Sequence, residues 1–172
     1  MERTDSIAIE DETAVATAAE TAIEQCLAVD SGETCVIATD DSREPIGEAL
    51  YRAALEATED ATIVRYPPAH QHGAEPPEPI AAALHAADAF LAPTTKSITH
   101  TRARSRATDD GSRGATLPGI TEEVFTVGLD ADYEAIAAAC ERMLDRVEGA
   151  DEIRVTSPRG TDITFELGDR PW

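Results

Sequence analysis

The chain has 172 residues, 42% of them hydrophobic, with 34 Asp and Glu against 14 Lys and Arg, a formal net charge of −20. Such a length suits one globular domain, and the apolar content excludes a disordered chain. The charge excludes nucleic acid and an anionic membrane surface as general partners, since both repel an acidic protein.

The first predicted element is a helix over 13–28, where Val15, Ala19, Ala22, Ile23, Cys26 and Leu27 share one apolar face. "SGE" breaks it, and "TCVIATD" (34–40) reads as a short strand ending in two aspartates. Ser42 is the expected N-cap of the next helix. Pro45 is tolerated in its first turn, and Ile46, Leu50, Ala53, Ala54 and Ala57 form its buried face. "ATIVRY" (61–66) is the second strand, and the proline-rich "PPAHQHGAEPPEP" (67–79) is a loop. A short helix over about 78–86 leads to a third strand, "DAFLAPT" (88–94). The following segment is expected to turn helical from about Thr99, and "RGATLPG" (113–119) holds a fourth strand.

Strands that alternate with helical segments mean right-handed βαβ units and a parallel sheet. The last third differs. Residues 131–148 have Tyr133, Ile136, Ala137, Cys140, Met143, Leu144 and Val147 at helical spacing. "DEIRVTSPRGTDITFEL" (151–167) alternates apolar and polar residues on both sides of "SPRG", the pattern of a β-hairpin. The expected fold is α/β: a three-layer, mostly parallel, Rossmann-like sheet of about four strands with helices on both faces, ending in a hairpin. The expected division is an α/β domain over 1–150 and a hairpin segment over 151–172.

Residues 1–20 are acidic and lack an apolar run of signal-peptide length, and no run of about 18 apolar residues occurs. No membrane partner is expected, and the expected location is the cytoplasm. The three cysteines, Cys26, Cys35 and Cys140, form no C-x-x-C pair and are read as reduced thiols buried as small hydrophobes. A single lysine within a diffuse acidic coat suggests a salt-in halophile. At about 1 M salt the Debye length falls to roughly 3 Å, so self-repulsion becomes tolerable.

Ligands of open α/β sheets bind beyond the carboxyl ends of the strands. The most chemically loaded of these ends is "APTTKSITHTRARSRAT" (92–108), in a stretch from Ala89 to Thr108 that holds no acid. It offers the hydroxyls of Thr94, Thr95, Ser97 and Thr99, the charge of Lys96, and His100. A helix opening at Ile98 or Thr99 would add free N–H groups, so a carboxylate or another small anion is the expected ligand. The competing reading is a polar loop followed by a basic helix whose Arg102, Arg104 and Arg106 pair with nearby acids. His70 and His72 read as a mobile loop rather than metal ligands, and His85 as structural. Asp40 and Asp41 read as turn or cap residues. No G-x-S-x-G, G-x-G-x-x-G or Walker A sequence is present.

"APTTKSITHTRARSRATDDGSRGATLPGITEEVF" (92–125) and "ADEIRVTSPRGTDITFEL" (150–167) resemble the thermophilic metallo-aminopeptidases, known as leucyl aminopeptidase or aminopeptidase T. The resemblance implies a two-domain hydrolase that removes N-terminal residues from peptides with a divalent metal pair of zinc, cobalt or manganese. It implies that the metal ligands lie in a C-terminal domain missing after Trp172, so this chain is expected to carry no metal and no catalytic residue. Thr94, Thr95, Lys96, Ser97 and His100 would then face a peptide substrate. Three readings follow: the truncated N-terminal part of such an enzyme, inactive alone; a stand-alone small-anion-binding module; or a structural subunit that forms a homodimer or pairs with a metal-bearing chain.

Overall fold

The computed structural model describes residues 6–168. Residues 1–5, at the head of the expected α/β domain, and 169–172, at the end of the expected hairpin segment, lie outside the described residues. Four parallel strands, β1 (Cys35–Asp40), β2 (Ala61–Tyr66), β3 (Ala89–Thr94) and β4 (Arg113–Pro118), form one sheet in the order β2-β1-β3-β4. Helices α1 (Glu12–Thr21), α2 (Glu44–Ala57), α3 (Glu78–Ala86), α4 (Arg102–Asp109) and α5 (Glu122–Leu129) flank it. The alternation of β1 and β3 sends alternate residues to opposite faces. Cys35, Ile37, Ala89 and Leu91 join a core with Val15 and Ala19 of α1, Ile46 and Leu50 of α2, and Phe125 of α5. Val36, Ala38, Phe90 and Ala92 join a second core with Ile80 and Leu84 of α3 and Ala107 of α4. Both inner strands are buried along their whole length, which is why they read as continuous apolar runs.

The expected α/β architecture is therefore present, and several local details differ from the sequence reading. The first helix is α-helical only to Thr21 and continues as a π-helical turn, Ala22–Cys26. Asp11 caps its start by accepting from the N–H groups of Thr13 and Ala14. Helix α2 opens at Glu44, so its cap lies one residue past the expected Ser42. Its N-cap is Arg43, whose side chain makes no capping bond, and the Ser42 Oγ is buried without a partner among the described residues. Helix α4 starts at Arg102 rather than near Thr99, because the Thr101 side chain accepts from Arg104 N–H and fixes the cap there. Helix α5 has no counterpart in the sequence reading. Thr126, Val124 and Val127 blur its periodicity, and it forms because Thr121 caps it and Phe125 enters the core. The Glu122 carboxylate also accepts from Glu10 N–H at 2.7 Å and Asp11 N–H at 2.6 Å, tying α5 to the head of α1.

The chain divides into compact units after Ala131, which groups the next helix with the hairpin, whereas the sequence reading draws its boundary at 150. The second unit holds α6 (Tyr133–Val147) and an antiparallel pair, β5 (Glu152–Thr156) and β6 (Asp162–Glu166). Asp132 caps α6 through Ala135 N–H, and Arg154 grips Asp162 across the hairpin with two bonds of 2.8 Å. No residue of α6 is buried, so its apolar stripe is uncovered, and Cys140 on it is exposed. Cys26, in the π-helical turn, is exposed as well. Only Cys35 matches the expected buried thiol, and burial pushes it up to about 11.

Candidate binding site at the carboxyl ends of the strands

The connection from β1 leads through α2 to β2 on one side, and the chain then crosses to β3 on the other. The connections after β1 and β3 therefore leave in opposite directions, and the ends of these two strands are the topological switch point where such sheets bind ligands. The backbone pairing of β1 with β3 runs from Cys35 opposite Ala89 to Ile37 opposite Leu91. Beyond it lies Pro93, which has no N–H to donate. Side chains take over the bridging. Thr39 Oγ1 donates to the Pro93 carbonyl at 3.0 Å. The Asp40 carboxylate accepts from Thr95 N–H at 2.5 Å, Thr95 Oγ1 at 2.9 Å and Ser42 N–H at 3.1 Å.

Asp40 is 1% exposed, and those three donors take the place of water around its carboxyl oxygens. It clamps the loop after β3 to the end of β1. Tyr66, opposite Asp40 at the end of β2, is pushed up to about 12, first by burial and then by the Asp40 charge, so it stays a neutral phenol. Asp41 sits outside the clamp and faces Arg65 at 3.6 Å.

The loop after β3 is the meeting point of three strand-end loops. Gly73 N–H donates to the Ser97 carbonyl at 2.8 Å, and Ser97 N–H donates to His72 Nδ1 at 3.1 Å, docking the loop after β2. Gly119 N–H donates to the Thr94 carbonyl at 2.7 Å, docking the loop after β4. Ser97 Oγ, Thr99 Oγ1 and Thr116 Oγ1 form a hydroxyl chain with steps of 2.9 and 2.7 Å. Thr94 Oγ1 donates to the Lys96 carbonyl at 2.7 Å, and Arg104 Nε donates to the Thr99 carbonyl at 2.8 Å.

The five candidate residues thus split into two groups. Thr94, Thr95 and Ser97 spend their side-chain oxygens on holding the loop. Lys96 and His100 are half-buried and exposed respectively. Lys96 has no carboxylate within ion-pair distance among the described residues. The expected free N–H groups of the following helix are taken. Arg102 N–H and Ala103 N–H donate to the Glu75 carboxylate at 2.8 and 3.1 Å, which holds that carboxyl below its ordinary range. Glu75 is the site residue that sequence reasoning missed. Its signal is only a glutamate in a proline loop, and 27 residues separate it from Arg102.

His72 serves as a hydrogen-bond acceptor to the loop, His85 lies 2.6 Å from Asp110, and His70 is exposed. Among the described residues no group of three or more His, Cys, Asp or Glu is arranged to hold a metal ion. No helix among them is long and apolar enough to cross a membrane.

The sequence matches no family model, and a search of curated proteins returns no match. The fold is similar to a solved structure of 2,5-dihydroxypyridine dioxygenase from Pseudomonas putida, with a TM-score of 0.62 and 18% identity over 89% of this chain. The chain spans about half of that structure, 47% of its length. This corrects the resemblance drawn from the sequence. The structure that the chain is similar to is a dioxygenase and not an aminopeptidase, and no family model supports the peptidase reading. Segments such as "TTKSITH" and "TSPRGTD" are rich in Ser, Thr and Gly, residues that any strand-end loop or hairpin turn requires.

Proposed function

We propose that this chain is a binding domain that holds a small anion at the loop after β3, with Lys96 as its principal contact. The observation that carries the reading is the setting of Lys96. It is the single lysine of a chain with 34 acids, at the switch point of a parallel sheet, with no carboxylate paired to it among the described residues. The hydroxyls and the His72 ring around it stiffen the loop, so the ammonium is presented on a support that loses little freedom on binding. His100, four residues on, adds a neutral donor or, when protonated, a second charge.

Calorimetric titration with inorganic phosphate tests the assignment. Saturable binding that weakens at least tenfold in Lys96→Ala is expected. Equal binding by the variant removes Lys96 from the site.

A second reading has its own observation. In the second unit Met143 is 57% exposed and Leu144 50%, while Ile163 and Phe165 on β6 are 55% and 44% exposed. Apolar faces of this kind mark protein contacts, and a two-stranded hairpin is marginal by itself. Residues 132–168 would then pair this chain with another, as a structural subunit. Light scattering after size exclusion should show an assembly that Phe165→Glu dissociates, and a monomeric wild type removes this reading.

A further inference from the structure

A groove of about 420 Å³ lies between α3 and α4, on the face of the sheet opposite α1 and α2. It is separate from the loop after β3 and does not depend on the role given to Lys96. Arg102 and Arg106 of α4 line the groove, and Asp110, at the helix C-cap, follows them at the same interval of four residues. The first and third are matched from across it. Arg102 Nε meets Glu75 Oε1 at 3.4 Å at one end, and Asp110 Oδ2 meets His85 Nε2 at 2.6 Å at the other. Arg106, midway, has no carboxylate within ion-pair distance among the described residues. What lines the groove beside it is Ala81 and Ala82 of α3 and Ala103 of α4.

We propose that a small monocarboxylate with a short apolar body completes this ladder. Its two oxygens take the parallel N–H donors of the Arg106 guanidinium, and its alkyl part rests on the three alanines. A carboxylate is favoured over a more highly charged anion because only one cation of the groove is unmatched. Glu75 and Glu78, which also line it, would repel a second negative charge. The carbonyls at the end of α4 do not oppose the ligand strongly. Those of Arg106, Ala107 and Thr108 already accept from the N–H groups of Asp110, Ser112 and Gly111.

The test is an NMR titration of the full chain with butyrate, with butylamine and inorganic phosphate as parallel arms. Butyrate should shift the Arg106 side-chain N–H and the amides of Ala81, Ala82 and Ala103 saturably. Butylamine should not, and phosphate should do so at least tenfold more weakly. Arg106→Ala should weaken butyrate binding at least tenfold while its melting point matches wild type, since the side chain is exposed; Arg106→Lys should retain part of the affinity. Lys96→Ala should leave the shifts of Ala81, Ala82 and Ala103 unchanged. At these groove residues, unsaturable shifts, equal binding by Arg106→Ala, or phosphate as tight as butyrate would each overturn the proposal.

Discussion

Glu33 and Arg113 show how one residue pair secures the end of the sheet opposite the candidate site. Both Nη nitrogens of Arg113 donate to the Glu33 carboxylate, while Nε donates to the Leu27 carbonyl at 3.0 Å and Nη2 also to the Ala28 carbonyl at 3.1 Å. The pair thereby ties the start of β4 to the segment where α1 ends and Ala28 adopts a positive φ of 46°. The Arg113 bond, then the Asp30 N–H, lowers the Glu33 carboxyl from 4.5 to about 2. A value depressed by folding contributes stability that is complete above the unfolded value and is lost as pH falls through the folded one. Wild type should therefore exceed Glu33→Gln in stability by a constant margin above about pH 4.5, and that margin should vanish by about pH 2. Urea melts of both proteins across this range measure it, and a margin unchanged at low pH would contradict the pairing.

At the scale of elements, α2 lies so close to β1 that the contact leaves no room for a side chain at Gly47. A Cβ there would stand 2.8 Å from Thr39 Cβ. Thr39 cannot move aside cheaply, because it is fully buried and its Oγ1 is bonded to the Pro93 carbonyl. Replacing glycine by alanine within a helix gains up to about 1 kcal/mol in propensity, whereas forcing atoms into a filled core costs roughly 1–3 kcal/mol. Gly47→Ala should thus destabilise the protein by about 1 kcal/mol or more, despite the better helix former; a stabilised variant would show that the helix shifts freely.

The elements legible in the sequence were those whose signal is local. The four strands were apolar runs bounded by turn residues, and α2 and α3 had clean stripes. Helix α5 was hidden because its support comes from a distant capping partner, Glu122 with Glu10 and Asp11, and from one buried ring. The same holds for the site. Its place at the end of β3 followed from the alternation of strands and helices. The division of its residues into loop-holders and the other two depends on Asp40, His72 and Thr116, which approach only in the folded chain. The stripe of α6 was equally clear, but periodicity shows that a face is apolar and says nothing about what covers it.

For the whole molecule the governing quantity is charge. Two units with a net charge of −20 between them repel internally, and most ion pairs here are exposed, so they offset little of that repulsion. Added salt screens the repulsion, and the melting point should rise steadily from low to molar KCl; a salt-indifferent melting point would remove the proposal that the acidic coat is an adaptation to salt. On the proposed reading, the run of chain after β3 that carries no acid of its own interrupts this coat, so a small anion meets less repulsion there. The most direct measurement of that claim is an amide NMR titration of the full chain with inorganic phosphate, at the lowest salt at which it remains folded. Saturable shifts at residues 94–100 and their neighbours, at least tenfold tighter than any elsewhere and abolished in Lys96→Ala, are the result expected. Shifts that do not saturate, or that persist unchanged in the variant, would contradict it.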